Sequence, residues 1–142
     1  MRTIFLLAVV CTFTGCNSMQ QTSKRTPTES SLYTILYTSE NKGREEDSHE
    51  IITNKEDLTA LYQSIEIPEV PQVDFAKSQV LVLYLGLKNT GGYRISIAKI
   101  EEQADKIIVY KKEEAPKGMA TMAFTKPFTV ALIHSTKKIV VQ

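Results

Sequence analysis

Two cysteines and two histidines are all that this 142-residue chain offers as thiol nucleophiles, soft metal ligands or neutral-pH bases. Hydrolytic chemistry needs a nucleophile beside a base, or a metal held by three or four ligands. His49 and His134 lie far apart, without metal-ligand spacing. Asp47-Ser48-His49 has the residue types of a triad, but such groups converge from separated positions. Three neighbours in a polar stretch instead face water. His134 alternates with Leu132 and reads as an ordinary half-buried histidine near a strand end. Glu45-Glu46-Asp47 lacks the alternating oxygen ligands of a calcium loop and reads as a solvated charge run. No Gly-x-Ser-x-Gly, phosphate-cradling loop or dinucleotide fingerprint occurs. The expectation is a chain with no catalytic residue, no metal and no cofactor.

Cys16 is the one residue with a special chemical setting. Arg2 supplies an initial positive charge, and Ile4 to Phe13 is almost unbroken apolar or small sequence. That run is too short to cross a hydrocarbon core of about 30 Å, but it suits a secretory signal. Phe13-Thr14-Gly15-Cys16 resembles a lipobox: a bulky apolar residue, two small ones, then cysteine. Phe13 stands where leucine is usual, and bulky Val10 disqualifies Cys11. The resemblance implies a signal peptide at 1–15, cleavage before Cys16 and lipid on its sulfur. Several acyl chains on one residue anchor stably where one does not, each buried CH₂ contributing about 0.8 kcal/mol. The membrane contact is then lipid alone, because the longest later apolar run is Val80 to Leu87. Asn17-Ser18 contains no aspartate, which favours the outer over the inner membrane under the best-known sorting rule. The expected location is the cell envelope, outside the cytoplasm.

Losing residues 1–15 removes one cation, Arg2, and leaves 127 residues with 16 basic against 16 acidic side chains. That length suits one domain, and the even balance gives no electrostatic case for nucleic acid. With Cys16 acylated, no thiol remains for a disulfide, so the domain depends on an ordinary core. Residues 16–31, polar after the cysteine apart from Met19, are expected to be a disordered tether with a reach of about 20 Å.

Residues 32–142 then form a single domain. Leu32 to Tyr37 is rich in β-formers; Thr38 to Ser48 reads as an exposed loop, and His49 to Thr53 as a short strand. Leu58, Leu61, Tyr62 and Ile65 fall at i, i+3, i+4 and i+7, the stripe of an amphipathic helix. Thr53 with Glu56 makes a capping box, and Asn54 with Asp57 would serve almost as well. Pro68 and Pro71 stop the helix and favour extended chain through Val73-Asp74-Phe75. Val80 to Leu85 is apolar on both faces, as in a central strand covered on both sides. Tyr93, Ile95 and Ile97 alternate with polar or small residues, Ile107 to Lys112 follows a turn at Gln103-Ala104-Asp105, and Phe128 to Ile133 and Lys138 to Val141 complete the set. Short links favour antiparallel pairing. The expected fold is α+β: a mainly antiparallel β-sheet with one amphipathic helix packed on it.

Between two of these strands lies Lys88-Asn89-Thr90-Gly91-Gly92-Tyr93. Adjacent glycines permit positive φ, so spacing alone reads as a hairpin turn followed by a core tyrosine. The wider order of features is Val73-Asp74-Phe75, a buried strand ending Leu85-Gly86, Thr90-Gly91-Gly92-Tyr93, Ile95-Ser96-Ile97, Pro116-Lys117-Gly118, and Phe124-Thr125-Lys126-Pro127-Phe128. This resembles the PrcB C-terminal domain family, named after a subunit of a secreted protease complex, over roughly residues 74–141. Proline often precedes the threonine in that family, and here Asn89 stands there; asparagine can still support the turn. The resemblance implies a non-catalytic module that binds, stabilises or restrains a protease or another envelope protein. A protruding loop of Asn89, Thr90, Gly91, Gly92 and Tyr93 is its expected contact, tyrosine giving large contact area at low entropy cost. The alternative is a structural or stress-related envelope lipoprotein whose loop is only a tight turn. No residue pattern marks a small-ligand site between sheet and helix.

Overall fold

A computed structural model describes residues 32–142. The expected signal peptide, Cys16 and the expected tether lie outside the described residues. Seven strands and one helix follow in the order β1 (Tyr33–Ser39), β2 (Asp47–Ile52), α1 (Lys55–Ser64), β3 (Gln79–Leu85), β4 (Arg94–Glu102), β5 (Lys106–Glu114), β6 (Phe128–Ile133) and β7 (Lys138–Val141). The α+β class is as expected, but the strands divide between two sheets rather than one. A four-stranded antiparallel sheet runs β1-β6-β3-β2, and a three-stranded sheet runs β4-β5-β7 with β5 and β7 parallel.

The side-chain period of two explains why β3 is apolar throughout. Leu81, Leu83 and Leu85 face the second sheet, where they meet Ile95, Ile97, Ile100, Ile107, Val109 and Ile139. Val80, Val82 and Tyr84 face α1, against Leu58, Leu61, Tyr62 and Ile65. β6 divides in the same way, with Ala131 and Ile133 between the sheets and Phe128 and Val130 under the helix. The result is three layers: helix, four-stranded sheet, three-stranded sheet. Each large aliphatic buried between them contributes about 1.5–3 kcal/mol. Thr129 ties the two sheets by donating its hydroxyl to the Ile95 carbonyl at 2.6 Å.

The helix N-terminus selects the second of the two caps legible in the sequence. Asn54 Oδ1 accepts from the Asp57 amide at 2.8 Å, and Asn54 Nδ2 donates to Asp57 Oδ2 at 2.7 Å. At the other end α1 stops at Ser64, before either proline. Ile67 donates to the Tyr62 carbonyl and Glu66 to that of Gln63, with Glu66 in the left-handed region at φ 58. This closing turn, usually built on glycine, ends the helix; Lys42 Nζ reinforces it by donating to the Ile65 carbonyl at 3.1 Å. The extended stretch after the prolines is shorter than expected, because Asp74 captures the Ala76 amide at 3.1 Å and opens a turn at Phe75.

One boundary and one exposure differ from the sequence reading. β2 begins at Asp47 rather than at His49, so Asp47 and His49 point to one face and Ser48 to the other. Asp47 pairs with Lys111. His134 is exposed, not half-buried, and its Nε2 lies 2.9 Å from Thr34 Oγ1. The β6–β7 link is what carries the chain to the second sheet. Buried Gln79 secures that crossing, donating from Nε2 to the carbonyls of Ser135 at 2.9 Å and Lys137 at 2.8 Å.

Tyr84 gives the helix-side layer a pH limit. Burial pushes its hydroxyl up to about 12 from an ordinary 10.0; the Arg44 guanidinium over its ring pulls it down, and Glu50 adds to the rise. Burial also raises Tyr62. A folded pKa above the unfolded one favours the neutral phenol, so this stability is complete below about pH 10 and is lost as the pH climbs through the folded value. Alkaline titration followed by circular dichroism is expected to show unfolding between about pH 10 and 12. Tyr84→Phe should move that transition upward; an unchanged midpoint would mean that another group sets it.

Candidate partner-binding surface

The loop from Gly86 to Tyr93 is not a hairpin turn. β3 pairs with β2 and β6, whereas β4 pairs with β5, so the loop carries the chain from the first sheet to the second. Gly86 starts the departure with φ +81, where a Cβ would stand 3.0 Å from the Asp47 amide nitrogen and 3.1 Å from the Glu45 carbonyl. The loop is then pinned by the segment that leads from β5 into β6. Lys88 and Thr125 exchange both backbone hydrogen bonds, at 2.8 and 2.9 Å. Thr125 Oγ1 donates to the Thr90 carbonyl at 2.9 Å, and the Gly91 amide donates to the Thr121 carbonyl at 3.0 Å.

The second glycine has its own reason. Gly92 has φ +85, and a Cβ there would stand 2.8 Å from Pro116 Cβ. Its amide donates to Glu40 Oε2 at 3.1 Å, and the other Glu40 oxygen lies 3.8 Å from Arg94 Nε. Lys88 Nζ reaches Glu113 Oε1 at 2.9 Å while sitting 5.2 Å from the centre of the Tyr93 ring. Tyr93 is half-buried against the core between the sheets. The five residues singled out from the sequence therefore differ in exposure. Asn89 and Gly92 are exposed, Thr90 and Tyr93 are half-buried, and Gly91 is buried.

The segment pinned over this loop carries side chains to which the sequence reading gave no contact role. Met119, Met122 and Phe124 are among the large apolar residues left most open, at 105%, 93% and 75% exposure. Met122, Ala123 and Phe124 join Asn89 and Thr90 around a shallow depression of about 340 Å³. The available signal was the run Met119 to Phe124, apolar apart from Thr121 but confined between Gly118 and Pro127, too short for a helix to bury it.

The four strands that frame this junction, β3, β4, β5 and β6, form one contiguous stretch of sequence. Residues 79–134 match the PrcB C-terminal family. The match begins on the first residue of β3 and ends one residue beyond β6, inside the 74–141 expected from the motifs. It contains the Thr-Gly-Gly-Tyr loop, the pinning segment and strands from both sheets. An uncharacterized protein of Methanocaldococcus jannaschii is 39% identical over 57 residues, 40% of this chain and 35% of that protein. The aligned stretch thus spans about a third of that relative's length. No solved structure matches the chain. The matched segment accordingly supplies the covered central strands and the junction, while β1, β2, α1 and β7 lie outside the match.

A cavity of about 280 Å³ between α1 and the first sheet is lined by Lys42, Arg44, Glu50 and Tyr84, among others. Arg44 pairs with Glu50, and Lys42 with Glu66. Among the described residues no group of three or more His, Cys, Asp or Glu side chains could hold a metal ion.

Proposed function

We propose that this chain is a non-catalytic, lipid-anchored envelope protein whose domain binds a protease or another envelope protein. The contact surface is the junction of Asn89 and Thr90 with Met122 and Phe124. The observation that carries the reading is the exposure of those two large apolar side chains around one depression with the loop. Methionine adapts its shape to a partner, and an exposed ring supplies contact area at low entropy cost. The match to a family named after a protease-complex subunit supports a protease as the partner class. Lipid on Cys16 restricts the partners to those within reach of that membrane.

A photo-crosslinking residue placed at position 122 or 124 of the full-length chain, in intact cells, tests this. The expected product is one discrete adduct containing an envelope protein, lost when Phe124→Ala and Asn89→Ala are combined. Adducts spread over many unrelated proteins, or an adduct indifferent to those substitutions, would remove the surface from consideration.

A second reading rests on how firmly the loop is held. Gly91 is buried and the loop's backbone is bonded to Thr121, Thr125 and Glu40, as a purely structural turn would be. A structural or stress-related lipoprotein would show envelope defects on loss of the gene, and those defects would be rescued equally by the Asn89/Phe124 variant.

A further inference from the structure

Four strands lie at sheet edges, and three are guarded against pairing with another chain. β2 carries Asp47, His49 and Glu50; β4 carries Arg94, Lys99, Glu101 and Glu102, with a bulge between Ile97 and Lys99; β7 has four residues and begins with Lys138. Charges, bulges and shortness are the ordinary means of blunting an edge. β1 is different. Its seven residues, Tyr-Thr-Ile-Leu-Tyr-Thr-Ser, include no charge and no proline, and it pairs with β6 alone. A bulge between Ile35 and Tyr37 turns Leu36 to the helix side, beside Tyr37.

The surfaces flanking this edge are unfilled. On the helix side a groove of about 320 Å³ is lined by Leu36, Tyr37, Tyr62, Ile67, Val70 and Pro71, with Glu69 alongside. On the other side Ile35, opposite Ala131 and so facing the second-sheet layer, remains 44% exposed. Glu69 has no ion-pair partner among the described residues.

We infer that β1 receives an extended segment of a partner protein as a fifth strand of the first sheet, apolar where it enters the groove and basic where it reaches Glu69. Strand addition draws affinity from main-chain hydrogen bonds and specificity from pockets for alternate side chains. The open edge and the groove beside it supply one of each. Charge decides the occupant. A second copy would offer its own β1, which has no cation for Glu69, so a heterologous basic segment fits better. This surface is separate from Met119, Met122 and Phe124 and does not depend on the reading given for them.

The probe is a set of fluorescein-labelled nonapeptides alternating valine and threonine around a central phenylalanine, with one lysine at each position in turn. Anisotropy with the full-length chain in detergent is expected to show a member with Kd of about 100 μM or tighter, and its glutamate counterpart at least about tenfold weaker. Glu69→Lys should reverse that preference, and Ile35→Lys should weaken the whole set about tenfold with an unchanged circular dichroism spectrum. Phe124→Ala should leave binding intact. Should Ile35→Lys unfold the chain, the Glu69→Lys reversal decides by itself. Absence of binding up to about 1 mM, equal binding of lysine and glutamate peptides, or a dimer of the unliganded chain broken by Ile35→Lys would each overturn the inference.

Discussion

Phe128→Ala is expected to lower the unfolding free energy by about 3–5 kcal/mol, the range for removing a fully buried aromatic ring. Phe128 is the largest wholly enclosed side chain of the domain. Its ring lies 5.7 Å from that of Tyr37 and 6.1 Å from that of Tyr84, the second pair stacked. It stands opposite Ser39 on β1 and Tyr84 on β3, so the cavity would open where three strands meet beneath the helix. Little can collapse into that space, because the neighbouring rings are fixed to paired strands. Phe124→Ala, four residues earlier, removes the same atoms from a side chain 75% exposed and should change stability by no more than about 0.5 kcal/mol. Urea denaturation of the two variants checks the contrast. A cost below about 1 kcal/mol at Phe128 would mean that the aromatic cluster is not packed as described.

Gly92→Ala is expected to cost about 2 kcal/mol, through two effects that a second glycine separates. Gly92 and Gly118 both have positive φ, at +85 and +105. At Gly118 a Cβ would meet nothing within 4 Å, so Gly118→Ala carries only backbone strain, about 1 kcal/mol. At Gly92 the added carbon also meets Pro116 Cβ at 2.8 Å, forcing the segment after β5 away from the loop. Thermal unfolding of both variants should place Gly92→Ala clearly below Gly118→Ala. Equal midpoints would show that Pro116 yields freely and that the junction is looser than its hydrogen bonds imply. Gly91→Ala belongs with the structural changes as well, since its Cβ would collide with Thr121 Oγ1. Loss of partner capture on changing Gly91 would therefore report a displaced junction rather than a missing contact.

Much of the fold was legible because local rules sufficed. The stripe of Leu58, Leu61, Tyr62 and Ile65 marks α1, and the unbroken run from Val80 to Leu85 marks a strand covered on both faces. Both signals are periodicities, which depend only on neighbours in sequence. The family match at 79–134 also falls inside the stretch of 74–141 expected from the motifs. Reading that loop as a hairpin failed because turn residues specify a reversal and not the strand that receives it. Adjacent glycines serve a two-residue turn and a crossing between sheets equally well.

The sequence by itself determined the element types, the α+β class, the absence of any disulfide within residues 32–142 and a family resemblance over roughly 74–141, inside which the match at 79–134 falls. It also raised the lipobox at Cys16, which lies beyond the described residues. Tertiary structure alone decided that β4, β5 and β7 leave the first sheet, that β7 runs parallel to β5, and that Gly91 and Tyr93 turn inward while Met119, Met122 and Phe124 turn outward. The physical reason is that strand pairing and exposure are set by contacts between residues distant in the chain. Lys88 meets Thr125, Gly92 meets Glu40 and Pro116, and Thr129 meets Ile95 only after two sheets have closed over a shared core.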